Sequence, residues 1–284
     1  MDARQIVVNG VSLHVETFGD PAAPALLLIM GAMASGTWWP RPFCEQLAAR
    51  RFHVIRYDHR DTGQSTCWEP GAATYGFEDL ALDAVGILDG LAIARAHLAG
   101  MSLGGMLAQL IALTLPERVR TLTLIATEPL DAPDPAVPPM DPEVLAWHAK
   151  GAALDWSDRM AVIDYQVGAW RLLTGSGHAF LAEDVRALAA EDYDRTPSPR
   201  SAFNHARLAG ANLDRWMGRL HEIRAPALVI HGTEDRVCPY AHALALQQRL
   251  PRARLLSLVG TGHELHRADW PAIVDAIAAH AGER

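Results

Sequence analysis

Lysine is almost absent from this 284-residue chain: Lys150 stands alone among 25 basic residues. The bias reads as the mark of a GC-rich genome and says nothing of function. No run of Lys and Arg occurs, and 33 acidic residues leave a net charge of −8. That balance excludes the clustered positive surface that nucleic acid requires. Cysteine is scarce too. Cys44, Cys67 and Cys238 are too few and too scattered for a disulfide framework, and their separations match no zinc spacing. No apolar segment follows Met1-Asp2-Ala3-Arg4-Gln5, and no apolar run reaches membrane-spanning length. The expectation is a soluble, cytoplasmic protein without a membrane partner. Internal repeats and low-complexity stretches are missing as well, and nothing in the sequence speaks to oligomeric state.

Apolar residues, by contrast, make up half the chain and charged ones a fifth. That is enough core for one large α/β domain with an insertion, or for two small domains. Ile6-Val7-Val8 and Leu13-His14-Val15 flank Asn9-Gly10, residues that accept the positive φ angles of a tight hairpin turn. Strands and helices then alternate. Strands are expected at 25–30, 53–57, 97–101 and 121–126, with helices at 43–50, 78–91 and 103–115. After a break the pattern resumes with a strand at 227–231, a helix at 240–250, a strand at 254–258 and a helix at 270–280. With the hairpin this makes an eight-stranded, mostly parallel sheet with helices on both faces. The break is compositional: six prolines fall between Pro129 and Pro142, followed by helical segments carrying Trp147, Trp156, Trp170 and Trp216. Residues 128–213 therefore read as an inserted helical cap, with 1–127 and 214–284 forming the core.

Gly100-Met101-Ser102-Leu103-Gly104 is the most informative stretch, because it lies where an apolar strand runs into a helix. A side chain forced onto a sharp strand-to-helix turn leaves no room for Cβ atoms two residues to either side, so glycine belongs at both places. Ser102 is the candidate nucleophile. The plainer alternative is a serine that merely caps the following helix.

A serine hydroxyl is a weak nucleophile at neutral pH, so a base must take its proton and a carboxylate must orient that base. In a doubly wound sheet the loops at the carboxyl ends of the strands converge on one edge. Asp235, in the turn leaving the strand 227–231, is the candidate acid, with Glu234 beside it and Glu128 as rivals. The chain order of serine, acid, then histidine favours Asp235. Among thirteen histidines, His263 lies in Gly260-Thr261-Gly262-His263, where glycines let the loop bend back over the nucleophile. His266 could face the site instead, while His97 and His231 lie within or at the end of strands and read as packed groups. Two backbone N–H donors must hold the oxyanion, one after the nucleophile and one from the loop after the third strand. Leu103 supplies the first. The second is Ala32 in Met30-Gly31-Ala32-Met33, unless Gly31 marks only a tight turn.

With these parts in order, the whole chain resembles the α/β-hydrolase superfamily with a helical lid. Asp58-His59-Arg60-Asp61-Thr62-Gly63-Gln64-Ser65 resembles the D-x-R-G-x-G-x-S loop of many such enzymes. The run from His53 to Gly63, Tyr75-Gly76-Phe77, and Met30-Gly31 in place of His-Gly look like the aclacinomycin methylesterase group. That likeness implies the α/β-hydrolase fold, a Ser-His-Asp esterase with an acyl-enzyme intermediate, no cofactor or metal, and a methyl ester of an aromatic, polyketide-like substrate. The likeness is dense from about 25 to 110 and around the acid and base loops, and sparse in the lid.

Met33, Trp38, Met101, Trp147 and Trp170 are the candidate substrate-binding residues, suited to an apolar or aromatic small-molecule ester. Aromatics at helical spacing also serve simply as lid core. A broad small-ester esterase or lactonase, a carbon–carbon bond hydrolase or a perhydrolase would use the same triad. A ligand-binding protein with little turnover is the alternative from another class. Serine at the elbow, where dehalogenase and epoxide hydrolase relatives place aspartate, disfavours those chemistries.

Overall fold

The computed structural model describes residues 1–131, 136–210 and 213–282; Pro133 and Pro135 of the proline-rich stretch lie outside them. The chain opens with a hairpin of β1 (Asp2–Val8) and β2 (Val11–Phe18), in which Val8 faces Val11. Asn9 and Gly10 have φ of 47° and 77°, the left-handed pair that this turn demands. Six further strands follow: β3 (Ala25–Ile29), β4 (His53–Tyr57), β5 (Ala96–Met101), β6 (Val119–Ile125), β7 (Ala227–Gly232) and β8 (Ala253–Leu258). The sheet order is β1-β2-β4-β3-β5-β6-β7-β8. β2 meets β4 antiparallel and every later pairing is parallel.

All five residues of β3 and all six of β7 are buried, which is why these segments read as unbroken apolar runs instead of alternating ones. Their side chains still alternate between faces. Leu27 joins the core under α2 (Phe77–Gly90), α3 (Leu103–Thr114) and α7 (Ala241–Arg249), while Leu26 and Leu28 join the core under α1 (Arg41–Ala49) and α8 (Trp270–Gly282). The sheet thus has a helical layer on each side, and the carboxyl ends of β3, β5 and β7 open on one edge. Between β6 and β7 come α4 (Pro142–Ala152), α5 (Arg159–Leu173), α6 (Ala182–Arg195) and a 3-10 segment, Pro199–Gly210. Asp141 and Asp158 cap α4 and α5 by accepting backbone N–H bonds, with Pro142 in the first turn of α4. Among the described residues no helix is long and apolar enough to cross a membrane.

Candidate active site

Ser102 follows β5 directly and precedes α3 with φ 52° and ψ −121°, a conformation that costs a non-glycine residue on the order of 1–3 kcal/mol. The surroundings impose it. The Ser102 N–H donates to the Ile125 carbonyl at 3.0 Å and Thr127 Oγ1 donates to the Ser102 carbonyl at 2.6 Å. A Cβ on Gly100 would overlap the Gly104 carbonyl, and one on Gly104 would overlap the Ile29 carbonyl at the end of β3. The Ser102 side chain makes no capping bond to α3. It lies beside Gly31 and borders a cavity at the rim where β3 and β5 end.

The loop after β3 runs against this serine. A Cβ on Gly31 would come within 3.3 Å of the Ser102 Cβ, a tight contact that glycine avoids. Ala32 borders the same cavity as Ser102. Leu103 packs its side chain into the core beneath the elbow, leaving only its N–H, in the first turn of α3, on the Ser102 side.

His263 Nδ1 lies 2.8 Å from Asp235 Oδ2. Both side chains are buried. The other carboxylate oxygen, Oδ1, accepts the Val237 and Cys238 N–H groups, each at 2.8 Å. These bonds turn Asp235 inward, while its neighbour Glu234 points out and accepts from the Ser176 N–H and hydroxyl. Burial alone would raise the Asp235 carboxyl, but the charges and hydrogen bonds of His263 and His231 outweigh it and hold the group well below the usual carboxylate range. Of the other residues weighed from sequence, Glu128 faces His242, and His266 stacks on His178 away from the site. His97 bonds Thr121 inside the sheet, and His231 binds the Cys238 carbonyl. Ser102 and His263 border one cavity, and among the described residues no hydrogen bond joins them. In enzymes without substrate such bonds are often long and tighten on binding.

That cavity, of about 290 Å³, is mostly apolar. Met33, Trp38, Met101 and Trp170 line it, with the Trp38 and Trp170 rings stacked at 4.7 Å. Trp147 does not. Its ring stacks on Tyr165 and lies over Gly168, where any side chain would collide with it, and its N–H donates to the Tyr165 carbonyl. This corrects the expectation: Trp147 holds α4 to α5, while the next residue, His148, about 100° further round the helix, borders the cavity with Trp156.

Asp192, on α6, was not foreseen. It borders the cavity, is buried, and accepts from Ser35 Oγ and from Trp38 Nε1, which orients the indole that lines the wall. Burial pushes its carboxyl up to about 6, the Ser35 and Trp38 bonds offsetting only part of that. The folded protein therefore holds this proton more tightly than the unfolded chain, where the carboxyl has its ordinary value of 3.8. Its contribution is full below pH 4 and is lost as pH rises through about 6, a difference of about 3 kcal/mol. Urea unfolding of Asp192→Asn between pH 4.5 and 8 should show a flatter stability profile than wild type. An unchanged profile would contradict the raised carboxyl.

Residues 24–267 match the α/β hydrolase fold family. The chain belongs to that family. Rhodomycin D methylesterase DauP from Streptomyces sp. (strain C5) is 35% identical over 302 residues, spanning 99% of this chain and 98% of that protein. Rhodomycin D methylesterase DnrP from Streptomyces peucetius is 36% identical over 296 residues, with the same shares covered. Among solved structures, the enol-lactonase from Burkholderia xenovorans LB400 matches with a TM-score of 0.78 at 26% identity, covering 99% of this chain and all of that one (100%). The family and the likeness to methylesterases are as the motifs imply.

Proposed function

We propose that the protein is a carboxylic ester hydrolase working through Ser102, His263 and Asp235, and that it cleaves a methyl ester of an apolar, aromatic acid. What carries the reading is a convergence: a serine on a strained turn and a histidine held by a buried carboxylate border one apolar cavity. The two methylesterase relatives support the ester, and Trp38, Trp156 and Trp170 support the aromatic acid. Residues 128–213 act as the cap, since α5 and α6 supply Ala169, Trp170, Asp192 and Tyr193 to the cavity wall. Cytoplasmic placement accords with Cys44, Cys67 and Cys238 all being unpaired.

Because Nδ1 of His263 faces Asp235, Nε2 is the nitrogen left to take the Ser102 proton as Oγ adds to the ester carbonyl. Asp235 stabilises the imidazolium that results. The Ala32 and Leu103 N–H groups take the oxyanion, each such donor being worth about 3–4 kcal/mol of barrier. Collapse of the tetrahedral intermediate expels methoxide, which takes the proton back from His263 and leaves as methanol. Water then attacks the acyl-enzyme by the same route in reverse and frees the acid.

A panel of methyl esters tests the reading: straight-chain acids against benzoic, naphthoic and anthracene carboxylic acids, with a small lactone alongside. At ~25 cal/mol per Å² of apolar surface removed from water, each ~55 Å² of ring that the cavity covers should raise kcat/KM about tenfold. Preference for the lactone or the straight chain would overturn the aromatic ester assignment, and no turnover of any ester would favour a binding protein.

A further inference from the structure

Two histidines far apart in sequence grip the loop that carries Ala32. At one end, His59 Nε2 lies 2.9 Å from the Met30 carbonyl. At the other, the Met33 N–H donates to His205 Nδ1 at 2.9 Å, and His205 Nε2 lies 2.8 Å from the Arg60 carbonyl. The rings are buried and meet edge to face at 5.9 Å. The partners dictate the tautomers. A backbone N–H can only donate, so His205 Nδ1 carries no proton; a carbonyl can only accept, so His205 Nε2 and His59 Nε2 each carry one. His205 is thus held neutral, and burial disfavours a second proton on either ring, lowering the His205 value to about 3. Met33 itself sits at φ 63°, a conformation a methionine keeps only where surrounding contacts over-determine it.

We infer that His59 and His205 are positioning residues that fix the Gly31-Ala32 peptide between them, so that the Ala32 N–H faces the oxyanion formed on Ser102. His205 belongs to Pro199–Gly210, in the segment between β6 and β7, whereas His59 belongs to the loop after β4. The oxyanion loop is therefore clamped from the cap side and the core side at once. This inference rests on the esterase reading of Ser102.

The test compares two polar replacements by their rate of reaction with a fluorophosphonate. In that reaction Ser102 Oγ bonds to phosphorus, fluoride leaves, and the serine proton passes to His263. It depends on the oxyanion donors but not on the choice of ester. His205→Asn sets an acceptor near the place of Nδ1 and keeps the Met33 bond. His205→Gln reaches only the place of Nε2 and loses it. His205→Gln should label about 100-fold more slowly than wild type, the scale of a misplaced catalytic donor. His205→Asn should stay within about tenfold of wild type, and KM for the best ester should move less than threefold in either. Should the pair fail to fold, the contrast is read at the other end with His59→Gln, which keeps a donor to Met30, and His59→Leu, which does not. Equal rates for the paired variants would overturn the inference while leaving the esterase reading intact. A wild type that the fluorophosphonate does not label would overturn both.

Discussion

Alanine in place of Ser102 lowers kcat for a methyl ester by about 10⁶, with KM and the melting temperature nearly unchanged. The size follows from the division of labour in the site. Without Oγ no acyl-enzyme forms, and only a directly attacked ester remains, helped by the backbone donors and by binding. The fold should tolerate the change, because the Ser102 side chain makes no capping bond to α3 and the strained turn is held through backbone atoms, the Ser102 N–H on Ile125 and its carbonyl under Thr127. Progress curves with enzyme in large excess measure the residual rate. Activity above about one part in 10³ of wild type would remove Ser102 from the nucleophile's place.

Asparagine at position 235 lowers kcat by about 10⁴. Its Oδ1 still accepts from the Val237 and Cys238 N–H groups, so the turn after β7 keeps its shape. The other limb of the side chain becomes an amide N–H₂ facing His263 Nδ1 at the 2.8 Å contact. Two donors cannot share that bond, so the imidazole moves its proton to Nε2, the nitrogen that must accept from Ser102. The ring is then present and wrongly protonated. Steady-state kinetics alongside thermal melting separate this from misfolding: loss of rate with an unshifted melt is the expected result, and near-normal rates would return Glu234 or Glu128 to consideration. The geometry disfavours both, since Glu234 turns outward to Ser176 and Glu128 lies against His242.

The core was legible in the sequence because its signals are local. Asn9-Gly10 states a turn type, the five buried residues of β3 state a strand covered on both faces, and Gly100 and Gly104 are where Cβ atoms would strike backbone carbonyls. Chain order does not separate Asp235 from Glu234, since both lie between Ser102 and His263, and adjacent residues in a tight turn point apart in a direction set by backbone hydrogen bonds. The cap was less legible because helix faces are chosen by their partners. Trp147 and His148 are consecutive on α4, and Gly168 of α5, by making room for an indole, decides which of the two turns away from the cavity. Asp192 and His205 carried no sequence signal at all. One is one of three aspartates in an acidic helix and the other one histidine of thirteen, and each gains its role from core residues more than a hundred positions away, Ser35 and Trp38 for the first and Met33 for the second.

Mapping the fluorophosphonate adduct on wild type by mass spectrometry, with esterase activity followed in the same sample, tests the central claim most directly. One equivalent of label on the peptide carrying Ser102, with activity lost in step, is the predicted result. Label at another residue, or full ester hydrolysis by protein completely labelled at Ser102, would contradict it.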